Sequence, residues 1–209
     1  MVFEKTCWSA TAATNLEKRS VQIRIGYEFL YEFPRPTPML LMVNVPSRYC
    51  ETDKLTDIAW SLFGKTTPGW GRVQAVCDYV HEHISFGYEH ACATRTASQA
   101  HRDHAGVCRD FAHLAIAFCR CLNIPARYCT GYLGDIGVPA SDLPMDFSAW
   151  FDAYLDDAWY TFDARHNVPR IGRVLIARGR DAADVAITTT FGANRLSSFS
   201  VYTEEAAPT

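Results

Sequence analysis

Helices first and paired strands afterwards is the mixed fold that this sequence predicts, and three observations predict it. Between residues 53 and 122 apolar residues recur at helical spacing in three segments, and from residue 126 onward they alternate with a period of two. Asp156-Asp157 stands between two such alternating segments as the turn of a hairpin.

The elements follow in chain order. Residues 1–20 carry no periodicity, whereas Val21 to Phe33 alternates like a half-buried strand that Pro34, Pro36 and Pro38 terminate. Leu40 to Val45 reads as a second strand, paired with the first. From Asp53 the stripe Leu55, Ile58, Ala59 and Leu62 makes a helix closed by Gly64 and Pro68-Gly69. Trp70 to Ile84 is a second helix with Val73, Val76, Cys77 and Val80 inward, and His90 to His104 a polar loop with a short helix. The apolar run Leu114 to Phe118 lies in a helix from about Cys108 to Leu122, stopped by Asn123-Ile124-Pro125. Ala126 to Leu133 is a strand, Gly134 to Met145 a loop, and Phe147 to Arg165 the hairpin. Val174 to Ala177, Asp184 to Thr190 and Ser198 to Tyr202 close the chain as short strands.

Bulk properties narrow the function. The 209 residues are 48% hydrophobic, enough for one good core, and no apolar run is long enough to span a bilayer, so no membrane partner is expected. A net charge of −3 with scattered basic residues gives no footprint for nucleic acid, and Arg170, Arg173, Arg178 and Arg180 read as a solvated strand or loop. The eight cysteines lack a secretory leader before them, which points to a reducing, cytoplasmic setting. Cys119-Arg120-Cys121 lacks zinc spacing, and His81 and His83 fall on different helix faces, so no metal is expected.

Cys108 is the exception among the thiols. It follows Gly106-Val107 at the start of a buried helix, where unpaired N–H groups and the macrodipole favour a nucleophilic thiolate. Cys119, Cys121 and Cys129 read as small core residues.

In the hairpin, Leu155 opposite Ala158 sets a register that pairs Ser148 with Arg165. Ser148, Trp150, Asp152 and Tyr154 then share a face with Trp159, Thr161, Asp163 and Arg165, and the other face is apolar. Asp163, diagonal to Ser148, is suited to orient an imidazolium beside an attacking thiolate, or else to pair with Arg165 or Arg127 or to cap the next loop.

Gly106-Val107-Cys108-Arg109-Asp110-Phe111-Ala112, with Ala149 to Leu155 and Trp159-Tyr160-Thr161-Phe162-Asp163, resembles the core of the bacterial transglutaminase-like superfamily, relatives of the papain-like cysteine proteases. The resemblance covers residues 50–195. It implies an α+β fold with the cysteine starting a helix packed on an antiparallel sheet, a short N-terminal β segment over 1–48 and the core domain over 49–209. It also implies Cys108 as nucleophile, Asp163 as the acidic member of the triad, a peptide or protein substrate and no cofactor.

The family's catalytic histidine stands immediately before the Ala-Trp of the hairpin, and here that position is Ser148. A hydroxyl is neither a general base near neutral pH nor a cation for a thiolate. Of the other imidazoles, His166 follows Asp163 by three residues and reaches its face where the strand ends or bulges, while His104 and His101 precede Cys108 in a loop. His113 points away from Cys108. Two readings follow: a cysteine-dependent acyl-transferring or amide-hydrolysing enzyme, or a catalytically impaired domain whose cleft, lined by Trp150, Trp159 and Tyr132, binds a peptide or protein.

Overall fold

The computed structural model describes residues 47–139, 145–189, 191 and 199–204, all within the compact unit Val45–Thr209. The two strands read between residues 21 and 45 lie outside the described residues, as do residues 140–144 of the loop before Met145.

Four α-helices come first: α1 (Thr56–Phe63), α2 (Trp70–His83), α3 (Ala97–Asp103) and α4 (Cys108–Cys121). Short strands β1 (Ser85–Phe86) and β2 (Ala105–Gly106) pair in parallel between them. In α1 the inward positions are Ala59 and Phe63, while Leu62 stays 41% exposed, so the expected stripe is rotated by one residue. The inward face of α2 is the expected Val73, Val76, Cys77 and Val80. A capping box starts α3: Thr96 Oγ1 accepts from the Gln99 N–H, and Gln99 Oε1 from the Thr96 N–H at 2.9 Å.

Helix α4 is buried on every side from Asp110 to Cys119, which marks a central helix rather than a surface one. Helices α1, α2 and α3 cover one side and the sheet the other. Asp110 turns back to accept the Val107 N–H at 2.9 Å, fixing the entry to the helix. Gly106 makes this possible, since a Cβ there would meet Asp110 Cβ and Oδ2 at 2.7 Å.

The sheet holds β3 (Ala126–Leu133), β4 (Ser148–Leu155), β5 (Ala158–Phe162) and β6 (Arg173–Gly179) in the antiparallel order β5-β4-β3-β6. Ala149, Phe151, Ala153, Leu155 and Phe162 face the core together with Tyr128 and Ala126. Gly131 sits where the β3–β6 register shifts, and a Cβ would meet the Val174 carbonyl oxygen at 2.0 Å. Asp156 and Asp157 take φ of 44° and 65°, the left-handed pair that a tight hairpin turn needs.

The predicted register holds from Leu155↔Ala158 to Phe151↔Phe162 and then stops. Ser148 is not paired with Arg165, because the chain leaves the sheet after Phe162 and turns, with the Asn167 N–H donating to the Asp163 carbonyl at 2.8 Å. The strand expected over 184–190 is also absent from its described residues: a 3-10 turn, Ala182–Val185, stands at its start. Asp184 closes that turn by accepting from the Arg180 N–H, Nε and Nη2, a local competitor to strand pairing. Described residues 199–204 form no strand. Just ahead of the turn, Asp181 Oδ2 accepts from Ser47 Oγ at 2.5 Å and from the N–H groups of Arg48 and Tyr49 at 2.6 and 3.0 Å.

Candidate active site

The site forms where β5 leaves the sheet. Thr130 Oγ1 on β3 donates to the Ser148 carbonyl, so by strand alternation the Phe147 carbonyl and the Ala149 N–H point toward the edge that β5 has vacated. The head of α4 fills that edge. The Cys108 thiol donates to the Phe147 carbonyl at 3.7 Å, and the Ala149 N–H reaches the sulfur. Ser148, between Phe147 and Ala149 in the chain, is 6% exposed, and its carbonyl accepts from Thr130 on the other side of the strand.

The electrostatics at Cys108 differ from the expectation of a spontaneously formed thiolate. Burial pushes its pKa up from 9.0 to about 11, against the pull of the Arg165 guanidinium and the Ala149 N–H, while Asp146 and Asp163 add to the rise. The field of a helix N-terminus amounts to about 0.3–1 kcal/mol, less than one pH unit, and enclosure of the sulfur outweighs it. Cys92 presents the opposite case: it is exposed, and hydrogen bonds at Thr94 draw its pKa down.

Asp163 is 9% exposed, and both of its oxygens are engaged. Oδ1 accepts the N–H groups of Arg165 and His166 at 3.0 and 3.2 Å, and Oδ2 accepts His166 Nδ1 at 2.9 Å and both Nη groups of Arg173 at 3.1 Å. Burial alone would raise its pKa, but the His166 hydrogen bond and charge and the Arg173 charge bring it to about 2. The side-chain partners are therefore His166 and Arg173, not the Arg165 or Arg127 side chains considered from sequence. Arg127 pairs instead with Asp152 at 3.0 Å. His166 reaches Asp163 because β5 has ended, the condition under which its position three residues on becomes compatible with contact.

The other imidazoles are engaged elsewhere. His101 bonds the Tyr79 hydroxyl at 2.9 Å and stacks on His83, and the His104 ring lies 4.1 Å from that of His83. His113 is fully buried and accepts the Ala182 N–H at 3.1 Å, with burial driving its pKa down to about 3. Tyr132 packs on Phe147, ring centroids 5.4 Å apart. Trp150 is buried beneath the Arg173 guanidinium, 4.8 Å from its ring, and Trp159 lies under Arg127 at 4.0 Å. These three aromatics do not share one cleft wall: Trp150 is on the outer sheet face, Tyr132 on the face toward α4, and Trp159 at the turn end of the hairpin.

Sequence reading took Arg165 as a partner for Asp163 and Arg173 as part of a solvated strand or loop, and put neither guanidinium where it stands. Arg165 covers the Phe86 ring at 3.7 Å and hydrogen-bonds Tyr88 beside the thiol. Arg173 depends on the β3–β6 pairing, which no local pattern specifies.

A cysteine at the head of a central helix, docked on an antiparallel sheet with an aspartate–histidine pair beyond its edge, defines a thiol-centred α+β domain of papain-like type. Residues 56–164 match the transglutaminase-like superfamily, and the chain belongs to it. A crystal structure from Cytophaga hutchinsonii, described as a "putative cysteine protease", is 44% identical with a TM-score of 0.65, over 71% of this chain and 50% of that one. An uncharacterized protein of Mycobacterium leprae (strain TN), ML0607, is 34% identical over 84 residues, 39% of this chain and 30% of that protein. The periplasmic domain of TgpA from Pseudomonas aeruginosa is 18% identical with a TM-score of 0.45, over 60% of this chain and 47% of that one. The chain thus spans half or less of these relatives. Among the described residues no helix is long and apolar enough to cross a membrane.

Proposed function

We propose that the chain is a cysteine-dependent amide or peptide hydrolase in which Cys108 is the nucleophile and the Asp163–His166 pair replaces the base missing at Ser148. The observation that carries this reading is the 2.9 Å contact from His166 Nδ1 to Asp163 Oδ2. It leaves Nε2 as the proton-accepting nitrogen, the arrangement by which a carboxylate orients a catalytic imidazole. His166 takes the thiol proton, the sulfur attacks the amide carbonyl, and the amine leaves with that proton, giving a thioester that water hydrolyses. The Cys108 N–H, at the first turn of α4, holds the oxyanion in this proposal. Tyr132, beside Phe147, serves the bound peptide, and Trp150, buried on the other sheet face, is left out of the proposal. The cysteine-protease description of the Cytophaga hutchinsonii protein supports the same chemistry. Cytoplasmic residence is part of the proposal, supported by seven free cysteines among the described residues.

The test is turnover of a peptide amide by Cys108→Ala and His166→Gln. Both lose activity, and His166→Gln keeps the thermal midpoint and the thiol content of the wild type. Full activity in His166→Gln would overturn the assignment of the base.

A second reading, a catalytically impaired domain that binds a peptide or protein, is favoured by the elevated Cys108 pKa and by the main-chain nature of both hydrogen-bond partners of its sulfur. In that case wild type and Cys108→Ala bind the same peptide equally and neither turns it over.

A further inference from the structure

Residues 199–203 belong to no helix or strand, yet they lie against the end of the sheet where Cys108 stands. Phe199 sets its ring almost parallel to that of Phe147, at 7° with centroids 6.4 Å apart, and Phe147 in turn packs on Tyr132. Both separations are those of offset aromatic contact. Val201 is 8% exposed while Tyr202 next to it is 80% exposed, so the segment turns alternate side chains inward as a bound extended peptide does. Thr203 closes against Gly134, just past the end of β3, where an added Cβ would meet the Thr203 Cβ at 2.9 Å.

The surface that this segment covers is the one that the proposed hydrolysis assigns to its peptide. Tyr132 and Phe147 lie on the sheet face toward α4, and the Phe147 carbonyl accepts the Cys108 thiol at 3.7 Å. A substrate packed on this wall needs the face of Phe147 on which Phe199 rests. Residues 199–203 carry no charged side chain, which suits a wall that is itself aromatic. They contribute no strand to the sheet, so lifting them breaks no ladder. Tethering compensates for the small contact: a segment of the same chain meets the wall at an effective concentration on the order of millimolar, so one buried valine and one ring contact suffice to keep it covered.

We propose that residues 199–203 form an autoinhibitory strap, which occupies the peptide-binding wall at Tyr132 and Phe147 and lifts from it before a substrate reaches Cys108. The strap rests on the hydrolase reading for its consequence, but its test reads the thiol itself. In the full chain, Val201→Ser removes the buried anchor and Phe199→Ser the ring contact. Alkylation of Cys108 by iodoacetamide is followed by peptide mass spectrometry, with the exposed Cys92 as internal standard. Both variants raise the rate at Cys108 relative to Cys92, Val201→Ser by at least about tenfold, the low end of what burial of a valine side chain supplies. The acetylated and amidated peptide of residues 199–203, added at about 5 mM, returns each variant to the wild-type rate, which a general loosening of the fold would not allow. Wild-type alkylation in both folded variants, or an acceleration that the peptide does not reverse, would overturn the strap. Peptide-amide turnover separates the two readings. A freed thiol with no turnover in any variant overturns the hydrolase and leaves the strap over a peptide-binding wall, whereas wild-type turnover that neither variant changes, with alkylation also unchanged, overturns the strap alone.

Discussion

Two thiols of the described residues are shifted in pKa in opposite directions. Cys108 is enclosed at the head of α4 with its pKa at about 11, while Cys92 lies in the open with its own drawn down by Thr94. Thiolate, not thiol, is the species that alkylates. Limiting iodoacetamide at pH 7 therefore modifies Cys92 before Cys108 among the described cysteines, which peptide mass spectrometry reads directly. This reverses the order that helix position alone suggests. Ser148→His changes the balance: a ring between the Phe147 and Ala149 contacts adds a cation and a base where the family carries one. The expected outcome is at least about a tenfold faster alkylation of Cys108, with a rate that titrates near neutral pH. An unchanged pH profile in a folded variant would remove position 148 from the site.

At the level of elements, the hairpin shows how much the sequence makes legible. The register from Leu155↔Ala158 to Phe151↔Phe162 could be read because alternate residues are strongly apolar and a one-residue slip would bury Asp152 in the core. The limits of α4 and β3 could be read for the same reason, through a sharp change of period at Asn123-Ile124-Pro125. The end of β5 was not legible. Leaving the sheet after Phe162 depends on Asp163 accepting the N–H groups of Arg165 and His166 and on Arg173 arriving from a distant strand, and neither appears in a local pattern. The Asp163–His166 contact was thus accessible to sequence only as a conditional possibility. The turn itself offers a check on the backbone. Asp157 holds φ at 65°, a conformation that a side chain disfavours and glycine does not. Asp157→Gly should stabilise the fold by about 0.5 kcal/mol and raise the thermal midpoint by about 1–2 °C, measured by calorimetry.

For the molecule as a whole, stability against acid draws on several buried groups with lowered pKa values, among them His113 and Asp163. His113 is neutral in the fold, with a pKa of about 3 against 6.5 ordinarily, so its contribution is complete above pH 6.5 and is lost as the pH falls through 3. Asp163 is ionised in the fold, with a pKa of about 2 against 3.8 ordinarily, and its contribution is lost only between those two values. Between pH 7 and 4 the loss is therefore mainly that of His113, on the order of 3 kcal/mol. Urea unfolding at pH 7 and pH 4 measures it, and His113→Gln, which keeps an acceptor for the Ala182 N–H, should show a much smaller difference between the two. Equal pH sensitivity in the variant would place the acid lability elsewhere.

The three hydrogen bonds that Asp181 accepts from Ser47, Arg48 and Tyr49 span more than 130 positions of the chain. They close only after the last sheet strand has been made, so during synthesis the Tyr49 carbonyl can accept the Ala97 N–H early, whereas Ser47 and Arg48 gain the Asp181 carboxylate only once residue 181 has emerged. A nascent chain stalled with residue 181 still in the exit tunnel should be more open to proteolysis at Ser47 and Arg48 than the released chain.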